Sequence, residues 1–206
     1  MAFYIFPQAI PKEQCKEHLG YCLDNLTFQN AVTIKPGGSA VGTEGDRSKY
    51  IEERESVRKT SISFLREEDR VLNQLVWGFI KEANRVFFKY RLDYFQPIQF
   101  AKYQNGGHYD WHQDSTTESE DGDTRKLSLT FSMTDGEDYE GGLLQFYNGN
   151  RKYTDDIDNN KRNIEDDIKK VGSVIVFDSR DWHRVTPVTG GVRYSLVCWT
   201  VGPQFI

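Results

Sequence analysis

Residues 108–115 read HYDWHQDS, and the triplet His112-Gln113-Asp114 sets an imidazole two positions from a carboxylate. On extended backbone, residues i and i+2 project to the same side, so both groups can face one metal ion from a strand end. An HxD pair is common on protein surfaces, and only a third donor makes it a site. The chain has four histidines. His18 falls on a helical pattern and is expected to face solvent; His108 is expected in a loop at the site mouth. His183, in SRDWHRVTPV, lies 71 positions beyond His112, at the boundary between a hydrophobic segment and a strand-like one. Two imidazoles and one carboxylate leave three positions open on an octahedral ion, which suits non-haem Fe(II) with room for a chelating cosubstrate and O2. A structural zinc site would take four protein ligands, and no fourth has a convincing context.

Ten positions after His183, Arg193 stands in VRYSLVCW among alternating apolar residues, with no acidic neighbour in sequence. Arginine is rarely buried unpaired. An inward Arg193 therefore wants an external carboxylate, which its planar fork fits, and Ser195 on the same side adds a hydroxyl. The opposite strand phase turns Arg193 to solvent and Tyr194, Leu196 and Cys198 inward. Periodicity leaves both phases open.

These groups need elements to hold them. Residues 11–26 place Cys15, Leu19, Cys22, Leu23 and Leu26 at helical spacing behind Pro11. Residues 67–90 carry a broader apolar face, from Val71 and Leu72 through Val76 and Ile80 to Val86 and Phe87, as a helix laid flat on a sheet requires. After Pro97, segments such as IQFAKY, RKLSLTFSM, GGLLQFY, GSVIVFD and VRYSLVCWTVG are short, β-branched or aromatic, and parted by turn residues. Residues 128–133 alternate polar and apolar, which predicts a half-buried strand. Helices first and strands later predict an α+β chain, a jelly-roll core braced by N-terminal helices. We read 1–206 as a single domain, with 1–97 as helical and irregular support and 98–206 as the catalytic core. Residues 35–60 are rich in Gly and charge, and are expected to include a mobile lid. Residues 148–170 form an insertion; twelve of the twenty residues from 151 to 170 are charged, so it is expected to be solvated.

A net charge of −5 with mixed signs argues against nucleic acid or an anionic membrane as the main partner. Three cysteines without CxxC spacing indicate neither a disulfide framework nor a thiolate zinc site, and point to the reducing cytoplasm. The N-terminal residues show no signal-peptide pattern, and no run approaches a membrane span.

Taken together, YQNGGHYDWHQDS, RKLSLTFSMTDGEDYEGGLLQF and GSVIVFDSRDWHRVTPVTGGVRYSLVCWTVG resemble the Fe(II)/2-oxoglutarate-dependent dioxygenases. The resemblance covers about residues 98–203 and is closest to the prolyl 4-hydroxylase-like branch with its PKHD-type bacterial and phage members. It implies a double-stranded β-helix, with Fe(II), 2-oxoglutarate and O2 as cofactor and cosubstrates and ascorbate as an accessory reductant. His112, Asp114 and His183 would hold the metal. Arg193 would grip the far carboxylate of 2-oxoglutarate, with Tyr103 and Ser195 beside it, Val185 as an apolar wall and Trp199 as a wall aromatic. Gly141-Gly142 matches the family's glycine pair, but Leu143 stands where Glu often follows, so no acidic rim group carries over. The implied reaction is hydroxylation, first of a proline-containing peptide or protein. A free amino acid or other small molecule is the alternative substrate. Nucleic-acid demethylation is disfavoured because Trp199 stands where that branch has a second arginine. A non-catalytic jelly-roll binding module is disfavoured by the intact ligand set.

Overall fold

Leu127, Leu129, Phe131 and Met133 alternate with Ser128, Thr130 and Ser132, and in the computed structural model both sets are buried. The half-buried strand expected from the alternation is thus corrected. Its apolar face meets helices, and its hydroxyl face lines the interior of the jelly roll. The structure describes residues 2–31, 33–34, 51–52, 55–115, 123–148, 151–152 and 164–204.

The strands run β1 (Phe3–Phe6), β2 (Gln29–Asn30), β3 (Thr33–Ile34), β4 (Ile51–Glu52), β5 (Arg58–Lys59), β6 (Ser61–Phe64), β7 (Tyr94–Phe95) and β8 (Gln99–Gln104). They continue with β9 (His108–His112), β10 (Asp123–Ser132), β11 (Tyr139–Gly141), β12 (Leu144–Asn148), β13 (Arg151–Lys152), β14 (Val174–Asp178), β15 (His183–Val185) and β16 (Val188–Pro203). Among the described residues three α-helices join them: α1 (Lys12–Asn25), α2 (Arg70–Ala83) and α3 (Ile164–Lys169). The large sheet runs β1-β14-β10-β16-β8-β6-β2, with β7 and β11 also paired to β16. The small sheet runs β13-β12-β15-β9-β5. The N-terminal third therefore does more than brace the core, since β1, β2, β6 and β7 extend the large sheet and β5 edges the small one.

One apolar cluster lies between α1, α2 and the outer face of the large sheet, and joins Cys15, Cys22, Val76 and Ile80 to Phe100, Leu129, Phe131 and Leu196. A second lies between the two sheets and holds Ala101, Tyr103, Phe146, Ile175, Phe177 and Val185. Neighbouring residues of one strand, such as Val174 and Ile175, belong to different clusters.

The helices depart from their sequence pattern in detail. Residues 84–88 form a π-turn, closed by the Lys89 N–H donating to the Asn84 carbonyl at 2.9 Å. The extra residue per turn shifts the phase. Phe88 is thereby buried, whereas Val86 and Phe87 are exposed. Val71 in the first turn and Leu23 on α1 are exposed as well. His18 does not face solvent freely: it is half-buried, and burial lowers its pKa. Among the described residues no helix is long and apolar enough to cross a membrane. The expected lid falls largely on 35–50 and 53–54, and most of the insertion on 149–150 and 153–163, all outside the described residues.

Ile80 is fully buried at the centre of the helix–sheet cluster. Ile80→Ala is expected to cost about 2–5 kcal/mol of stability in urea denaturation, through lost transfer energy and a residual cavity. Metal affinity at the far side of the sheet should be unchanged.

Candidate metal centre

Strands β9 and β15 pair with His183 opposite His112 and Val185 opposite Tyr109, so three steps along β9 answer two along β15. The extra residue is a β-bulge. It turns Tyr109 and His112 to the same side, and their rings stack with centroids 3.5 Å apart. Plain alternation puts them on opposite faces, so Tyr109 was not legible as a site residue.

The bulge also aims His112 at His183, whose ring centroid is 4.2 Å away. Asp114 lies between them: its Oδ1 is 3.5 Å from His112 Nε2 and its Oδ2 is 3.4 Å from His183 Nε2. The three donor atoms all fall within 4.8 Å of one another. Each histidine is oriented from behind. His112 Nδ1 meets the Asp110 carbonyl at 2.7 Å, and His183 Nδ1 meets the Asp181 carbonyl at 2.9 Å. A ring nitrogen facing a carbonyl oxygen carries the proton, so each Nε2 presents its lone pair to the centre. Two lone pairs and a carboxylate converging on one point fit a cation between them. The donor set, N2O with no thiolate, fits Fe(II).

Electrostatics keep the set ready. Burial alone would raise the Asp114 pKa, but His183, His112 and Arg125 outweigh it and hold the carboxyl well below the usual range. Burial first, then His112, pushes His183 down to about 4, against the pull of Asp114, so its imidazole is neutral at physiological pH. Phe177 packs edge-on to His183 at 4.7 Å and helps keep it dry.

Ser128 Oγ donates to Asp114 Oδ2 at 2.7 Å and contacts Ser179 Oγ at 2.8 Å. The alternation of β10 contained this signal, but a solvent-facing hydroxyl was the plainer reading. Outer partners of a metal ligand typically contribute 10–100-fold to affinity. Ser128→Ala should weaken Mn(II) or Fe(II) binding about ten-fold in a direct titration, by freeing the carboxylate to rotate.

Arg193 faces the interior and is 4% exposed. Its Nη1 donates to Ser195 Oγ at 3.2 Å, and its Cζ lies 5.2 Å from the centre of the Tyr103 ring, on the paired strand. Among the described residues no carboxylate pairs with it. The inward phase holds, and the other phase is covered too: Leu196 and Cys198 are fully buried on the helix side, and Tyr194 is half-buried against the same cluster. Val185 is buried between the sheets, opposite Leu144 on one side and Tyr109 on the other. Trp199 is 8% exposed under the Arg125 guanidinium, 4.1 Å from ring centre to Cζ. Arg58, a further residue the sequence reading passed over, is buried with Cζ 4.5 Å over the Tyr109 ring and Nη2 3.2 Å from Gln99 Oε1. No motif marks Arg58 or Arg125, since lone basic residues read as solvated. His108 is corrected: it lies within β9 rather than in a loop, with Nδ1 3.0 Å from the Gly106 carbonyl. Gly141 and Gly142 both adopt positive φ, at +70° and +60°, and a bulge falls between Glu140 and Gly141.

Comparison with known proteins places this geometry in context. A profile of the 2OG-Fe(II) oxygenase superfamily matches residues 98–201. The PKHD-type hydroxylase PiuC of Pseudomonas aeruginosa is 28% identical over 113 residues, which is 53% of this chain and 44% of that protein. A PKHD-type hydroxylase of Phenylobacterium zucineum is 32% identical over 113 residues, 50% of this chain and 42% of its own length. The aligned region thus spans less than half the length of these relatives. Among solved structures, a Pseudomonas putida prolyl-4-hydroxylase superposes with a TM-score of 0.62 at 20% identity, covering 96% of this chain and 91% of that one. A Trichoplax adhaerens prolyl hydroxylase, solved with a hypoxia inducible factor oxygen degradation domain peptide fragment, gives 0.63 at 16% identity, covering 96% and 82%. At such identities the likeness is one of fold, the double-stranded β-helix.

Proposed function

The chain belongs to the 2OG-Fe(II) oxygenase superfamily, and from that premise we propose that it is an Fe(II)- and 2-oxoglutarate-dependent peptidyl-prolyl hydroxylase. One observation carries the reading. Two histidine lone pairs and a carboxylate converge on one point, and a buried arginine that has no carboxylate partner among the described residues opens into the same interior. His112, Asp114 and His183 would hold the metal, and Arg193, with Ser195 and Tyr103, the far carboxylate of 2-oxoglutarate. Bound there, Fe(II) supplies the oxidative decarboxylation of 2-oxoglutarate by O2 to succinate and CO2, with the second oxygen atom entering a C–H bond of the substrate. Ascorbate is proposed as the accessory reductant.

The chain's own residues orient the partners and exclude water. Burial of His183 and Asp114 strengthens every charge interaction at the centre. Trp199 stands six positions beyond Arg193 on β16, toward the other end of the interior. Arg58 and Arg125, held over the rings of Tyr109 and Trp199, suit the carbonyl oxygens of an extended peptide. The likeness to the Pseudomonas putida prolyl-4-hydroxylase and the peptide in the Trichoplax structure support a peptide substrate. The three cysteines are free and buried, which fits a reducing cytoplasm.

The test is succinate release from 2-oxoglutarate with proline-containing peptides, with and without Fe(II). Peptide- and iron-dependent succinate is expected, with a mass gain of one oxygen on proline. Turnover with free amino acids but with no peptide would replace the substrate class and leave the chemistry.

A further inference from the structure

Arg58 and Arg125 are two cations for which the metal centre supplies no counterion. Both lie toward the end of the interior away from Arg193. Arg58 Nη2 is 3.2 Å from Oε1 of Gln99, which stands four positions before Tyr103 on β8. Arg125 lies over Trp199, six positions beyond Arg193 on the antiparallel partner β16. Both also reach the metal ligands. The Arg58 guanidinium covers the Tyr109 ring, which stacks on His112. Arg125 Nη1 donates to the Asp114 carbonyl oxygen at 3.3 Å, and its Nε donates to Gln96 Oε1 at 2.8 Å.

These partners are all neutral. Arg58 is 9% exposed, and its Nε is buried with no acceptor among the described residues. Trp199 Nε1, on the ring beneath Arg125, is likewise buried without an acceptor. Among the described residues no carboxylate pairs with either arginine, and Asp114 turns its carboxylate to the two histidines. Aromatic faces and amide oxygens hold a guanidinium in place but leave its charge, which is costly away from water. With Fe(II) and 2-oxoglutarate bound, the rest of the chamber is balanced. The dication and Arg193 offset Asp114 and the two carboxylates of the cosubstrate. Arg58 and Arg125 then remain as two positive charges, and peptide carbonyl oxygens, which satisfy N–H groups, do not neutralise them.

We infer that the substrate is an acid, with a carboxylate close to the C–H bond that is oxidised, and that Arg58 and Arg125 are the receptor for that carboxylate. The inference rests on the reading of the chain as a hydroxylase and deepens it by naming the substrate class. Guanidinium planes laid on aromatic rings present their N–H edges outward, and a carboxylate accepts from such an edge with both oxygens. An Asp or Glu beside the target residue supplies this group, and so does the terminal carboxylate of a peptide or a free amino acid.

The test is calorimetric titration of the full chain, loaded with Mn(II) and 2-oxoglutarate without O2, so that binding is read apart from turnover. Proline-containing peptides are compared in matched pairs: Asp against Asn and Glu against Gln on either side of the proline, and free C-terminus against amide. L-proline is compared with prolinamide. In the tightest-binding pair the acid should bind roughly ten-fold or more tightly than its neutral mate, as charge-assisted hydrogen bonds require. Arg58→Gln should cut that ratio about ten-fold and leave 2-oxoglutarate affinity as it was. If that variant does not fold, Arg125→Gln and the comparison of acid with amide in the unsubstituted protein still decide. Equal affinity of acid and amide in every pair overturns the inference, and a ratio that survives in both variants overturns the receptor. A preference confined to L-proline over prolinamide keeps the carboxylate receptor and overturns the peptide reading. Peptides bound equally well as acid and amide keep the peptide reading and remove the receptor.

Discussion

Asp114→Asn is expected to give a folded protein that takes up no metal and releases succinate only at background. The substitution keeps the shape and removes the charge. Asp114 is 7% exposed and accepts from Ser128, so the amide fits the same space. What it cannot do is balance a divalent cation between two neutral imidazoles. Losing an outer partner costs roughly 10–100-fold, and losing the one anionic ligand should exceed that range. The apo protein should melt somewhat lower, because His183, His112 and Arg125 stabilise the buried carboxylate by more than its desolvation costs and the amide loses that difference. The measurements are metal content after dialysis, succinate release, and thermal unfolding by circular dichroism. A variant that retains one metal per chain and full turnover would remove Asp114 from the ligand set.

Arg193→Leu should weaken 2-oxoglutarate binding by at least ten-fold while metal binding stays as it was. Charge-assisted hydrogen bonds contribute about 1.5–3 kcal/mol, and a bidentate grip on a carboxylate sits at the upper end. Arg193 is buried, with Ser195 and the Tyr103 ring against it, and among the described residues no carboxylate pairs with it. An apolar replacement is therefore expected to leave the fold stable, since a buried charge without a carboxylate partner contributes little to holding it together. Titration of the Mn(II)-loaded variant reads the affinity. Unchanged affinity would mean that 2-oxoglutarate does not bind against this strand.

Much of the centre was legible because it uses unusual residue types at element boundaries. His112, Asp114 and His183 lie where strands end, and few histidines compete for the role. Gly141-Gly142 was legible only as a match to the family's glycine pair, although its positive φ angles suit glycine. The phase of β16 was not legible, because the choice between inward and outward assumed one buried face. The large sheet has two, and Arg193 and Leu196 are both inside. Tyr109 was hidden by the bulge in β9, which alternation cannot express. Phe88 was hidden likewise by the π-turn that rotates the end of the second helix.

The two-sided burial of β16 makes the strand a partition between separate compartments. At odd positions, Arg193, Ser195 and Trp199 border a polar chamber, and at even positions Tyr194, Leu196 and Cys198 border a greasy one. Changes at odd positions can alter which molecules the chamber admits without loosening the greasy side. Changes at even positions weaken the scaffold and leave the chemistry as it was. A saturation scan of these six positions should therefore split in two, one set moving turnover at constant melting temperature and the other the reverse. Such a division lets a lineage explore new substrates along one edge of a strand while the other edge keeps it folded.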